Sequence, residues 1–114
     1  MNTEFSFSIC MPVYQGSHLI GNSIDSIRKQ GFENYELLIG ADNHLEEKSE
    51  TERTKEILDS YGDSRIKYTK NKQNLGYPDN LKSIVSRARF DVIFLMAQDD
   101  FLSNDALQRT HDAF

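Results

Sequence analysis

Residues 90–101, FDVIFLMAQDDF, decide the fold. Asp91-Val92-Ile93-Phe94-Leu95-Met96 is short, apolar, rich in β-forming residues and flanked by charge, which predicts a strand buried on both faces of a sheet. The run stops at Asp99 and Asp100, so two carboxylates fall just beyond a strand's carboxyl end. In open α/β sheets ligands bind at that edge. Adjacent carboxylates repel unless a cation lies near them, and hard divalent cations favour such oxygen ligands. The pattern fits a metal-assisted site for an anionic ligand. It is also compatible with a solvated turn leading into a helix, because Asp, Asn and Ser are ordinary turn and cap residues.

The preceding segments repeat the theme. Phe5-Ser-Phe-Ser-Ile-Cys-Met11 predicts a strand stopped by Pro12, followed by the loop Val13-Tyr14-Gln15-Gly16. Ser17 is placed to cap a helix with Leu19, Ile20, Ile24 and Ile27 on one face, and Gly31 stops it. Tyr35-Glu-Leu-Leu-Ile-Gly-Ala41 predicts a second buried strand ending at Asp42-Asn43-His44. The charged segment 45–56 reads as a loop and then a helix. There Ser49 and Glu52 have capping-box spacing, Thr54, Ile57, Leu58 and Tyr61 share a face, and Gly62 ends it. Arg65-Ile-Lys-Tyr-Thr-Lys70 alternates as a third, less buried strand.

Asn71-Lys-Gln-Asn-Leu-Gly76 is a turn, and Pro78 suits the first turn of a helix whose apolar positions are Leu81, Ile84, Val85 and Ala88. After the quoted stretch, Ser103 or Asn104 caps a last helix carrying Leu107, His111 and Phe114, with Asp105 near its positive end. The order βαβαβαβα implies an α/β fold: a mostly parallel sheet of about four strands, right-handed crossovers and helices on both faces. Three strand ends, Pro12 to Gly16, Asp42 to His44 and Gln98 to Asp100, then share one edge as a candidate cleft.

Composition narrows the function. At 114 residues the chain is long enough for one domain with a genuine core and too short for two. Its net charge of −5 argues against general affinity for nucleic acid or an anionic membrane face. Cys10 is the only cysteine, so no intramolecular disulfide forms and a reducing compartment is expected. No stretch reaches the roughly 18 apolar residues of a membrane span, and the first residues lack a signal-peptide pattern. The expected location is cytoplasmic, at the inner face of a membrane if the substrate is lipid-linked.

Four segments, in order and spacing, resemble family 2 glycosyltransferases of the GT-A fold. They are Ile9-Cys-Met-Pro-Val-Tyr-Gln-Gly16, Tyr35-Glu-Leu-Leu-Ile-Gly-Ala-Asp42, Asn74-Leu-Gly76 and Val92-Ile-Phe-Leu-Met-Ala-Gln-Asp-Asp100. The family pattern is a strand with P-V-Y-N-G, a strand ending D-D-G-S, an N-x-G before a helix, and a strand ending D-x-D or D-x-D-D. Each piece is weak alone, and the match rests on all four in register.

The resemblance implies a Rossmann-like nucleotide-sugar-binding half, spanning 1–114 as a single domain truncated relative to a full inverting enzyme. It implies donor-binding roles for Pro12, Tyr14, Asp42, Asn74, Gly76 and Asp99, and metal ligation by Asp99 and Asp100, with Mg²⁺ or Mn²⁺ as the cofactor. Tyr14 would lie against the base, Asp42 would contact it, and the metal would neutralise charge growing on the leaving diphosphate. The donor would be a UDP-, GDP- or dTDP-sugar, and the acceptor a saccharide or lipid-linked molecule of unknown identity. Self-association of the truncated domain is also expected. Departures from the pattern are Ala41 for the first acid of D-D-G-S, Asn43-His44 for Gly-Ser, and a non-acid at the first position of D-x-D. The resemblance places the acceptor base in a later segment, so no catalytic base is assigned. A non-catalytic nucleotide-sugar sensor remains the alternative. A receiver-type domain fits poorly, because its acidic pair follows the first strand, where this chain has Pro12-Val13-Tyr14.

Overall fold

The computed structural model describes residues 5–42 and 49–113. Asn43, His44 and Phe114 lie outside the described residues. Eight elements follow in the expected alternation: β1 (Phe7–Val13), α1 (Ile20–Arg28), β2 (Tyr35–Ala41), α2 (Ser49–Ser60), β3 (Ile66–Lys70), α3 (Tyr77–Ser86), β4 (Val92–Leu95) and α4 (Ala106–Asp112). The four strands form one sheet in the order β3-β2-β1-β4, and every pair is parallel.

Side-chain alternation along β1 and β2 divides the core into two layers. Phe7, Ile9, Met11 and Val13, with Tyr35, Leu37 and Ile39, face Ile20, Ile24 and Ile27 of α1, Leu58 of α2 and Leu107 of α4. On the other face Cys10 and Leu38 pack against Ile84 of α3. Helices therefore cover both faces, three on one and one on the other. Burial pushes the Cys10 thiol up to about 11, helped by Glu36, so it stays a neutral core group.

The opening stretch forms its strand, but not one buried on both faces. β4 is the edge strand beside β1: Val92 and Phe94 are half-buried against the three-helix layer, while Ile93 and Leu95 are exposed on the face of α3. Among the described residues the one helix on that face lies over β1 and β2, so an apolar run reading as fully buried has cover there on one side only. Val85, expected on the apolar face of α3, is exposed for the same reason.

Pro12 does not end β1 but lies within it, paired in register with Gly40. Residue 10 bonds toward β4 through Met96 N–H to Cys10 O, and residue 13 bonds toward β2 through Asp42 N–H to Val13 O. By alternation the missing donor of Pro12 points to the β4 side, where pairing has ended at Cys10 and Leu95. No ladder bond is lost.

Three expected caps are also replaced. α1 starts at Ile20, and the Ser17 hydroxyl donates to Glu50 at 2.9 and 3.0 Å instead of capping it. Ser49 is the first helical residue of α2, and Glu52 pairs with Lys70 on β3. α4 starts after Asp105, whose backbone is left-handed at φ 63° and whose side chain makes no cap bond. Among the described residues no helix is long and apolar enough to cross a membrane.

Candidate donor-binding site

The carboxyl ends of β1, β2 and β4 and the start of α3 enclose a cleft of about 520 Å³. Of the residues expected there, Pro12, Tyr14, Asp42, Asn74, Gly76 and Asp99 all line it. A cleft of this size suits a nucleotide-sized ligand. Val13, Tyr77, Asn80, Ala97 and Gln98 complete the wall.

Each wall has a local cause. Tyr14 follows directly on β1, lines the cleft and is 42% exposed. Asp42 follows directly on β2 and is 5% exposed, so its carboxylate must find partners inside the protein. Its Oδ1 accepts from Leu75 N–H at 2.8 Å and from Asn71 Nδ2 at 3.2 Å, and its Oδ2 accepts from Gly76 N–H at 2.9 Å. Asn80, one turn into α3, accepts from Asn71 Nδ2 at 2.9 Å and donates to Gly40 O at 3.0 Å. Asp42 and Asn80 together pull the 71–76 loop onto the end of β2. Gly76 leads into α3 at φ 79°, ψ 162°, a conformation open to glycine and strained for other residues.

The two carboxylates of the opening stretch part company. Asp99 faces the cleft and has no hydrogen bond or ion pair among the described residues. Asp100 turns back on its own loop, its Oδ2 accepting from Ala97 N–H at 3.1 Å, and it does not line the cleft. Ser23 of α1 anchors this loop by donating to the Gln98 carbonyl at 2.6 Å and to that of Asp100. No cluster of three or more His, Cys, Asp or Glu side chains able to hold a metal occurs among the described residues.

Tyr77 and Asn80 escaped the sequence reading. Tyr77 is 66% exposed beside Gly76, so the cleft has a second aromatic wall. A signal existed in the short spacing from the Asn74-Leu-Gly76 turn: Tyr77 abuts it, and Asn80 lies one helical turn further on the same face. Gln98 was legible as a member of the strand-end loop, but nothing local shows what its amide does.

A parallel α/β sheet with a cleft outside its carboxyl edge, two aromatic walls and one unengaged carboxylate places the candidate site where open α/β domains bind their ligands. Comparison with known proteins narrows the class. Residues 8–114 match the family model of Glycosyl transferase family 2, and the chain belongs to that family. It is 33% identical over 103 residues to the Escherichia coli UDP-Glc:alpha-D-GlcNAc-diphosphoundecaprenol beta-1,3-glucosyltransferase WfgD, which covers 89% of this chain. The chain spans 38% of that relative's length.

Solved structures share the fold. TarS of S. aureus in complex with UDP-GlcNAc superposes with a TM-score of 0.78 at 20% identity, over 95% of this chain and 30% of that one. The mannosyltransferase PcManGT of Pyrobaculum calidifontis, in complex with GDP-Man and Mn2+, gives 0.77 at 12% identity, over 90% and 30%. The GT-A architecture expected from the sequence is the one observed.

Proposed function

We propose that this chain is the donor-binding part of an inverting glycosyltransferase that takes a nucleoside-diphosphate sugar together with Mg²⁺ or Mn²⁺. Residues 1–114 form one such domain, and the acceptor pocket and base come from a segment outside it. The observation that carries the reading is the cleft at the strand ends, lined by two aromatic residues, Tyr14 and Tyr77, and by the carboxylate residue Asp99.

The residues present fit a metal of this kind. Mg²⁺ is commonly held by one or two carboxylates, with substrate phosphate oxygens and water completing its shell. Asp99 supplies such a ligand from the cleft wall, and Asp100 holds the turn that presents it. When bound, the ion would neutralise negative charge on the departing diphosphate. Pro12 and the Asn74–Gly76 loop shape the pocket, and Asp42 acts on the donor through that loop.

The ligands named for the relatives, UDP-Glc, UDP-GlcNAc and GDP-Man, support a nucleotide-sugar donor. The lipid-linked acceptor in the E. coli relative's name supports a lipid-linked saccharide, and with it a cytoplasmic enzyme at the inner face of a membrane. The replacement of acids by Ala41 and by a non-acid, Ala97 or Gln98, at the first position of D-x-D favours one alternative, a binding module that takes the nucleotide without metal or transfer.

Thermal stabilisation by UDP-, GDP- and dTDP-sugars, with and without Mn²⁺, separates the two. It should grow as RT ln(1 + [L]/Kd) and should need the metal. Asp99→Ala should abolish the metal-dependent part, and stabilisation unchanged by Asp99→Ala would refute metal ligation there. Equal shifts with and without Mn²⁺ would select the binding module. No shift with any donor would sink both.

A further inference from the structure

We propose that Gln98 is a positioning residue that sets the aromatic wall of the donor cleft by clamping the Tyr14 peptide; this rests on the donor-binding reading above. Pairing between β1 and β4 closes with Met96 N–H donating to Cys10 O at 3.0 Å. Beyond that point the Gln98 side chain continues the connection. Its Oε1 accepts from Tyr14 N–H at 2.9 Å and its Nε2 donates to Tyr14 O at 3.1 Å. Reversing the amide would set oxygen against oxygen and N–H against N–H, so the bonding itself fixes its orientation.

The loop held in this way does not hold itself. Gln15 is left-handed at φ 50°, a conformation that side chains other than glycine adopt at a cost. Gly16 is buried, and a Cβ there would stand 2.2 Å from Gln98 Oε1, so the amide and the bare glycine backbone fit only together. Gln98 is fixed in turn by Ser23 of α1, whose hydroxyl donates to its carbonyl. The chain of support runs from α1 through Gln98 to Tyr14.

Few side chains substitute for this amide. A carboxylate accepts from Tyr14 N–H but sets a second oxygen against Tyr14 O. Lys and Arg only donate, and Asn is one methylene short. Gln98 thus occupies a position in the acidic strand-end motif without serving as a metal ligand. It governs donor affinity by holding the residue whose ring lines the cleft.

The test uses the whole chain with Mn²⁺ and UDP, GDP or dTDP, whichever binds the wild type most tightly. Two variants serve, each checked for retained secondary structure. Gln98→Met keeps the length and loses both bonds, and Gln98→Glu loses the donor. Each should weaken binding about tenfold, the size of one lost base-stacking contact. In a Tyr14→Ala background, adding Gln98→Met should change affinity less than about twofold, because the ring it positions is gone. Amide exchange at Tyr14, read without ligand, should accelerate in Gln98→Met.

Wild-type affinity in both variants overturns the proposal. So does a loss that persists undiminished in the Tyr14→Ala background, which would make Gln98 a direct ligand contact. If the wild type binds none of the three nucleotides, the donor reading itself fails and takes this role with it. The Tyr14 exchange rate tells that failure from a failed clamp, since exchange unaltered by Gln98→Met means the clamp is absent.

Discussion

Glu36 is the one acidic side chain of β2, and it is only 2% exposed. Ser8 Oγ donates to it at 2.6 Å, the Arg89 amide at 2.7 Å and Lys67 Nζ at 3.0 Å, while Phe90 N–H donates to Ser8 Oγ at 3.1 Å. Burial alone would push the Glu36 carboxyl up, yet these donors together hold it below its ordinary value. The network ties β1, β2 and β3 to the start of β4, at the sheet edge opposite the cleft. Glu36→Ala should cost on the order of 2 kcal/mol, because the buried Ser8 hydroxyl and the Arg89 amide lose their acceptor, as read by urea denaturation. A loss under about 1 kcal/mol would refute the assigned role. Asp63 works the same way closer to the surface: its bonds with Arg65 lower its carboxyl to about 2. A folded value below the unfolded one means that its stabilisation is present above about pH 4 and fades as pH falls toward 2. Asp63→Asn should remove on the order of 2 kcal/mol at pH 7 and flatten the acid limb of the stability profile over that window. An acid limb with unchanged slope would contradict it.

At the scale of elements, α3 begins where Asp42 dictates. The carboxylate at the end of β2 accepts the amides of Leu75 and Gly76 and so ties strand end, loop and helix start together. Asp42→Asn leaves a single acceptor and sets an NH₂ group against an amide N–H. We expect a lower Tm and weaker donor binding together, because the loop it releases is a cleft wall. A variant that lost stability but bound donor as the wild type does would separate Asp42 from the cleft. Gly76→Ala should cost about 1 to 3 kcal/mol through its backbone alone, measured by the same denaturation. The turn at Asn74–Gly76 was legible in the sequence because turn chemistry is local. The partner that holds it was not, since Asp42 lies 33 and 34 residues from the amides it binds.

For the molecule as a whole, α3 leaves one side of β4 uncovered among the described residues. Ile93, Leu95 and Val85 are 38%, 58% and 37% exposed, and β4 has an unpaired edge among the described strands. Apolar side chains beside an open strand edge favour association. The polypeptide should therefore sediment as larger species as concentration rises, and Leu95→Lys should shift it toward monomer. A monomer at all concentrations would contradict this expectation.

The amino-acid sequence by itself determined the alternation of strands and helices, the bounds of β2 at Tyr35–Ala41, the edge on which the ligand cleft lies, and six residues that line it. The alternation, the strand bounds and the edge depend on side-chain period and turn chemistry, which act over a few residues, whereas the six cleft residues follow from the family resemblance. Tertiary structure alone decided that, among the described residues, β4 is an edge with one face uncovered and that Pro12 costs the sheet nothing. It also decided that Ser17 and Glu52 serve Glu50 and Lys70 rather than helix caps, and that Asp99 rather than Asp100 faces the cleft. Gln98 meets Tyr14 across 84 residues of chain, a contact with no local signature. A hydrogen bond between distant segments depends on how the layers pack, and only the folded chain sets that.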